Sequence, residues 1–269
     1  MKLGLIGGKL SHSYSPKIHH LFFERYNISG EYSLFELQPE ALSNFCTEVK
    51  NGKLKGFNVT IPYKEDIFPF LDTVDEKAKN IGAINTVKNV NGKLCGYNTD
   101  YFGYLYSLQK LGIDLRDEKV IVLGNGGSAK AVIEVCKDFG AKEIYLVSRN
   151  PKKDVPEGVI SISYNELENI GKAKLITNCT PVGMFPNVSD SPIEKSLFSN
   201  YTYAIDLIYN PKETKFLEFA AETGAKTLNG LYMLLGQALK AEEIWQDTKI
   251  SLELIDELYE KLEKIVYGG

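Results

Sequence analysis

Residues 120–131 constrain this chain more than any other stretch. Val120-Ile121-Val122-Leu123 passes without a spacer into Gly124-Asn125-Gly126-Gly127-Ser128-Ala129-Lys130-Ala131. A short apolar run bounded by glycine reads as a buried strand, and the small residues beyond it as a helix packed close to that strand. The glycines between them let backbone N–H groups approach a pyrophosphate, whose negative charge the helix N-terminus favours. The rival phosphate cradle, a P-loop, needs a Gly-Lys-Ser/Thr that is absent here. A glycine turn serving only helix packing is the alternative without a ligand. About 20 residues past such glycines, an NAD site places an acid on the ribose 2′-hydroxyl. This chain instead reads Val147-Ser148-Arg149-Asn150, then Lys152-Lys153. A guanidinium there can hold a 2′-phosphate and stack on adenine, which predicts NADP; a solvated basic loop is the plainer alternative.

The order of elements sets this turn in the second half of an α/β chain. Lys2–Gly7, Glu31–Leu37 and Phe57–Ile61 read as strands, separated by helical patterns that open at Ser15-Pro16 and run over Leu42–Val49. Proline suits a first helical turn. This β-α-β-α-β order implies a mostly parallel sheet with helices packed on it. Ile84–Val90 and Lys93–Tyr97 flank Asn91-Gly92, whose two positions suit the positive φ of a tight hairpin. After a helix from Tyr101 to Leu111 the pattern restarts, with strands at Val120–Leu123, Ile144–Val147, Leu175–Asn178 and Ala204–Leu207 and one more near Thr227-Leu228. Helices are expected at Phe216–Glu222, Leu231–Trp245 and Ser251–Val266. The expected fold is α/β in two domains with a cleft between them. A substrate-binding and catalytic domain spans residues 1–102 and is completed by C-terminal helices at 237–269; a Rossmann-like dinucleotide-binding domain spans 103–236.

A length of 269 residues fits two modest domains. The formal net charge of −4 leaves no excess positive charge for a polyanion, so nucleic-acid binding is not expected. The four cysteines, Cys46, Cys95, Cys136 and Cys179, stand far apart, and the three histidines, His12, His19 and His20, add no metal-ligand spacing. No metal is expected. No apolar run reaches membrane-spanning length and no secretory leader opens the chain, so the expectation is a cytoplasmic protein without a membrane partner.

Polar residues gather at strand ends in the first half: Ser13, Ser15, Asn58, Thr60, Lys64, Asn85 and Asp100. Each alone is ordinary. Ser15 can cap a helix, Asn58 and Thr60 can satisfy local backbone, Lys64 reads as a solvated lysine, and Asp100 sits at a helix start where the dipole favours a carboxylate. Together they fall beyond the carboxyl ends of strands, where ligands of open α/β sheets bind.

Several of these segments carry a resemblance. Gly8-Lys9-Leu10-Ser11-His12-Ser13-Tyr14-Ser15-Pro16, Asn58-Val59-Thr60-Ile61-Pro62-Tyr63-Lys64, Gly82-Ala83-Ile84-Asn85-Thr86 and Asn98-Thr99-Asp100 are similar, in order, to motifs of the shikimate dehydrogenase family. So are Gly124–Gly127, Asn178–Met184, Asp206–Pro211 and Gly230–Gln237 in the second half. The resemblance spans essentially the whole chain and implies NADPH-dependent reduction of 3-dehydroshikimate to shikimate in aromatic amino-acid biosynthesis. It implies that Ser13 and Ser15 bind the substrate carboxylate, and that Thr60, Asn85 and Gln237 bind its hydroxyls with Tyr209 close by. Lys64 and Asp100 would form the catalytic pair. The cofactor would meet Gly124, Asn125, Gly126, Gly127, Ser128, Ala129, Ser148, Arg149, Thr180, Gly230 and Met233.

The family's proline in the first motif is Lys9 here, its Asn-Arg-Thr at the 2′-phosphate is Ser148-Arg149-Asn150, and Cys179 and Pro181 stand for alanine and serine. Met184 and Met233 either flank the nicotinamide or fill core, and His12 is expected to order its loop. Reduction of a ketone builds charge on oxygen, and a lysine beside an aspartate can stabilise and protonate it. The alternatives are an NAD-dependent quinate/shikimate dehydrogenase and a non-catalytic shikimate sensor. Only small-molecule partners are expected, on a monomer or homodimer.

Overall fold

A computed structural model describes residues 1–11 and 13–268; the expectation for His12 lies outside the described residues. In chain order the elements are β1 (Lys2–Gly7), α1 (Ser15–Tyr26), β2 (Glu31–Glu36), α2 (Leu42–Lys50), β3 (Gly56–Val59), β4 (Thr73–Val74), α3 (Glu76–Ile81), β5 (Thr86–Val90), β6 (Lys93–Tyr97) and α4 (Asp100–Leu111). There follow β7 (Lys119–Leu123), α5 (Gly127–Asp138), β8 (Glu143–Val147), β9 (Val159–Ile162), β10 (Ala173–Asn178), β11 (Tyr201–Asp206), α6 (Lys215–Glu222), β12 (Lys226–Leu228), α7 (Leu231–Gln246) and α8 (Leu252–Tyr267). The chain forms two compact units: Met1–Gly103 with Leu235–Gly269, and Tyr104–Leu234.

The first unit is built on a six-stranded sheet in the order β2-β1-β3-β5-β6-β4. Strands β2, β1 and β3 run parallel, as the β-α-β-α-β order predicts. The β5–β6 hairpin is antiparallel, β5 pairs antiparallel to β3, and β4 pairs parallel to β6, so the sheet as a whole is mixed. Asn91 and Gly92 take φ of 53° and 82° at the hairpin tip, a conformation that asparagine tolerates and that glycine, lacking a Cβ, adopts without strain. One face of the sheet packs Ile6, Phe57, Val59, Ile84, Val87 and Leu94 against Phe45 and Val49 of α2. Trp245 of α7 is fully buried and donates its indole N–H to Val87 O at 2.9 Å. In α8 the apolar stripe read from sequence is the buried face: Leu254, Ile255, Leu258 and Leu262.

The second unit is an all-parallel sheet in the order β12-β11-β10-β7-β8-β9. Its central strand β7 is flanked by β8 and β9 on one side and by β10, β11 and β12 on the other, the two-winged order of a doubly wound dinucleotide-binding sheet. The order reverses between β7 and β10, the position where such sheets bind ligands outside the strand carboxyl ends. Residues 121–123 of β7 are buried completely, which explains their unbroken apolar run.

Strands β4 and β9 and helix α3 go unmarked in the sequence. β4 has two residues, and β9 reads Val-Ile-Ser-Ile with Ile160 exposed, so neither shows alternation. Helix α3 spans only six residues; its signals are the Asp75 cap, which accepts Lys77 N, and Gly82 in the left-handed conformation. Among the described residues no helix is long and apolar enough to cross a membrane.

In the first sheet Gly56 lies tightly against Trp245. A Cβ on Gly56 would overlap the Trp245 indole and lie 2.7 Å from Val87 O, and neither a buried ring nor a ladder carbonyl can move aside cheaply. Gly56→Ala is expected to lower stability by about 2 kcal/mol or more through overpacking, although alanine has the better intrinsic propensity. Urea unfolding followed by Trp245 fluorescence measures this, since the chain has one tryptophan.

Candidate active site

In the first unit, backbone pairing sets the side chains. β3 continues past its end by Thr60 N→Ile6 O, then turns through Tyr63 N→Thr60 O, and Lys64 O accepts Ile84 N. The Lys64 backbone is thereby tied to its neighbours, and its long side chain extends from that fixed point. Asp100 opens α4, where the helix dipole favours its charge. That helix start is fastened by Asn98, whose amide donates to Ala83 O at 2.8 Å and whose oxygen accepts Tyr101 N at 3.3 Å.

These supports bring Lys64 Nζ to 2.5 Å from Asp100 Oδ2, with the two side chains 15% and 3% exposed. The other carboxylate oxygen accepts Asn85 Nδ2 at 2.9 Å. Asn85 Nδ2 also donates to Gln237 Oε1 at 3.1 Å. The amide cannot flip, because its oxygen accepts Thr99 N at 2.7 Å and the hydroxyls of Thr86 and Thr99, each at 3.1 Å. Four expected residues, Lys64, Asn85, Asp100 and Gln237, therefore meet in one network. Both amide protons of Asn85 are engaged within the protein, so a ligand reaching Asn85 must displace the Gln237 bond.

Thr60 follows β3, while Ser13 and Ser15 lie in the loop after β1 and at the start of α1. Gly7 and Gly8 bring the loop after β1 onto the Thr60–Ile61 segment: Gly8 N donates to Ile61 O at 3.0 Å, and a Cβ on Gly7 would lie 2.6 Å from Thr60 Cγ2. Ser13 Oγ accepts Ser15 N at 3.2 Å, so its hydroxyl proton is directed elsewhere. Asn58 donates to Asn85 O and to Thr86 Oγ1 and accepts the Tyr32 hydroxyl. Sequence reading gives Asn58 only a local backbone role and quotes Thr86 and Thr99 inside motifs without assigning either a part in the site. A run of asparagine and threonine at three neighbouring strand ends is the signal that points to them.

In the second unit the turn after β7 has the form of a ligand cradle. Gly124 has φ of +93°, and a Cβ there would lie 2.9 Å from Thr180 Cγ2 and 3.2 Å from Cys179 O. Gly126 is the N-cap of α5 in extended conformation, and a Cβ on it would meet nothing within 4 Å. The space over the first N–H groups of α5, at Gly127, Ser128 and Ala129 behind Asn125, is thus open to a phosphate. At the end of β8, Ser148 is buried and its hydroxyl has no hydrogen-bond partner among the described residues. Arg149 beside it is exposed. An orphaned buried hydroxyl, an exposed guanidinium and an open helix N-terminus fit the phosphates and ribose of NADP.

Thr180 is held by Asn178, whose Oδ1 accepts both its N–H at 2.9 Å and its hydroxyl at 2.6 Å. Asn178 in turn donates to Asp206, which also accepts Ile208 N and the Thr214 hydroxyl. Gly230 N donates to Ile208 O, and any Cβ at Gly230 would overlap Leu207 O. Tyr209 lies partly buried after β11. Of the two methionines, Met233 is buried, whereas Met184 is 46% exposed and fills no core.

Residues 5–87 match the family model described as the shikimate dehydrogenase substrate binding domain. The chain is 47% identical over 259 residues to a shikimate dehydrogenase (NADP(+)) of Clostridium beijerinckii, covering 95% of this chain and 96% of the relative. Among solved structures it resembles a chorismate mutase/shikimate 5-dehydrogenase fusion protein from Clostridium acetobutylicum, with 45% identity, a TM-score of 0.94, and 100% and 98% of the two chains covered. It also resembles shikimate 5-dehydrogenase from Thermus thermophilus in complex with NADP(H) and shikimate. There the identity is 32%, the TM-score 0.87, and the coverage 97% and 99%.

Burial pushes the Asp206 carboxyl from its usual 3.8 up to about 6, against the pull of its hydrogen bonds from Thr214, Ile208 and Asn178. The folded protein therefore keeps a proton that the unfolded chain releases. The stability this contributes is whole below about pH 4 and is lost as pH rises through about 6, by about 3 kcal/mol at most. Asp206→Asn stays neutral, keeps one oxygen acceptor and can donate to Thr214. Its unfolding free energy relative to the parent is expected to rise by about 2–3 kcal/mol between pH 4 and 7, as read from urea curves across that range.

Proposed function

The chain belongs to the shikimate dehydrogenase family, and we propose that its Lys64–Asp100 pair carries the proton chemistry of the reaction. The protein is an NADP-dependent oxidoreductase that interconverts 3-dehydroshikimate and shikimate, a step of aromatic amino-acid biosynthesis. The observation that carries the assignment of residues is the 2.5 Å contact of Lys64 with Asp100, whose other oxygen is held by Asn85.

NADPH, when bound, supplies the hydride, and the protein's own groups do the rest. As the ketone carbon is reduced, negative charge builds on its oxygen. Lys64 has three N–H groups; one is held by Asp100, so the others are available to that oxygen. An ammonium there stabilises the developing alkoxide and then protonates it. In the oxidative direction the step runs in reverse: with Lys64 in its neutral amine form, the substrate hydroxyl gives its proton to the Lys64 nitrogen as the hydride leaves its carbon, and Asp100 stabilises the ammonium that results. Asn85 keeps Asp100 from rotating, which keeps Oδ2 aimed at Lys64 throughout.

Ser13 and Ser15, at the entrance to α1, offer hydroxyl donors to the ring acid's carboxylate. Thr60 and Gln237 offer theirs to its hydroxyl groups, and Tyr209 is the further hydroxyl contributed to the substrate. The cofactor is held by the backbone of Gly124–Ala129 at the start of α5, with Thr180, Gly230 and Met233 as further contacts. Ser148 and Arg149 hold the ribose 2′-phosphate. A planar fork of N–H donors makes Arg149 the residue that prefers a 2′-phosphate to a 2′-hydroxyl.

Lys64→Ala is expected to lower kcat by at least about 100-fold with a much smaller change in KM for shikimate, measured as NADPH formation. Unaltered turnover would remove Lys64 from the mechanism. Arg149→Ala is expected to raise KM for NADP about tenfold and leave that for NAD within about threefold, because only the phosphate contact is lost.

A further inference from the structure

Ser13 and Ser15, read above as the contacts of the substrate carboxylate, are held in different ways. Ser15 is the first residue of α1, a helix fastened to α7 by the buried pair of His19 Nδ1 and Glu242 Oε1 at 2.6 Å. Ser13 stands outside any helix or strand, in the loop that follows β1. Gly8 and Lys9 of that loop carry no ring to restrict φ, so hydrogen bonds must shape it.

The path of the loop is set from the neighbouring strand. β1 and β2 end side by side, with Gly7 opposite Glu36. Leu37 N donates to Gly7 O at 3.0 Å, and Leu37 O accepts the hydroxyl of the buried Tyr63 at 2.5 Å, so the end of β2 is a fixed point. From there the Glu36 carboxylate accepts Leu10 N–H at 2.7 Å, a short charge-assisted bond. The Leu10 side chain is buried, and it fits because Gly7 lacks a Cβ, which would lie 2.7 Å from Leu10 Cδ2. Leu10 O in turn accepts Ser13 N at 2.9 Å. Ser13 Oγ accepts Ser15 N at 3.2 Å, which leaves the Ser13 hydroxyl proton for a ligand. Glu36 is itself exposed and completes no core. Water can satisfy a surface N–H in its place; what the carboxylate adds is a fixed position for Leu10.

We propose that Glu36 is a positioning residue that, through Leu10, holds Ser13 where its hydroxyl meets the substrate carboxylate; this rests on the reading above, in which Ser13 binds that group. Glu36 belongs neither to the Lys64–Asp100 network nor to the second unit. Its effect therefore falls on shikimate affinity and spares the chemical step.

Steady-state kinetics of the full chain with shikimate and NADP test this. Glu36→Ala is expected to raise KM for shikimate about fivefold, the scale of one hydrogen bond, with kcat within about twofold and KM for NADP unchanged. Glu36→Gln loses the charge but keeps an oxygen acceptor for Leu10, and is expected to bring KM back to within about twofold of the parent. Glu31→Ala, which removes the carboxylate at the other end of β2, is expected to leave these constants unchanged. In a Ser13→Ala background, Glu36→Ala is expected to add less than about twofold, because both changes remove one interaction. A flat KM in Glu36→Ala, an equal fall in kcat, no restoration in Glu36→Gln, an equal rise in Glu31→Ala, or additivity with Ser13→Ala overturns the proposal. A Ser13→Ala variant with the KM of the parent sinks the reading of Ser13 and the proposal with it; a raised KM there beside a flat Glu36→Ala sinks only the role of Glu36.

Discussion

An ammonium held against a carboxylate in a largely dry corner is the contact on which this molecule depends. Taking two charges out of water is costly, and the attraction between them offsets the cost only where other hydrogen bonds complete their shells. Here Asp100 has that shell: a helix N-terminus beneath it, Asn85 on one oxygen and Lys64 on the other. Asn85 is itself fixed by three donors from Thr86 and Thr99, and those threonines share a 3.1 Å contact. The network ties the hairpin β5–β6, the turn after β3 and the start of α4 into one register, because a shift in any of them would leave a buried charge without its partner.

The second unit solves a different problem with different means. It presents no charge pair at the β7 turn; it withholds side chains. Gly124, Gly126 and Gly230 are places where a single Cβ would meet a neighbouring strand end or occupy the space a phosphate needs. Behind them the chain Thr180–Asn178–Asp206–Thr214 anchors two loops at the sheet's reversal point through buried polar contacts. Backbone N–H groups do not adjust to a ligand as side chains do, so the loops around them have to be rigid beforehand.

How much of this is legible in advance follows from where the information lies. The strand-turn-helix of residues 120–131 is local and apolar, and so can be read to its individual glycines. The hairpin is legible because Asn91-Gly92 admits few other conformations. Strand β9 is not, because four residues with one exposed face carry no period. Lys64 alone reads as a solvated lysine; its partner stands 36 positions away, and only the recurrence of family motifs joins the two. The pairing of His19 with Glu242 spans 223 positions and leaves no local trace at either end. Buried polar pairs are what tertiary structure adds, since neither residue's propensity or neighbours announce them.

Helix α7 bears a consequence for how the polypeptide comes into being. Gln237, Glu242 and Trp245 lie along this one helix and are joined to Asn85, His19 and Val87, all within the first hundred residues. During synthesis the early strands must wait, with the seat of the indole over Gly56 bare, until everything through residue 246 has left the ribosome. The unit spanning Tyr104–Leu234 is continuous and needs no such delay. The half of the protein that is translated later is thus the half able to finish first, and it completes its sheet while the older half is still waiting for its closing helix.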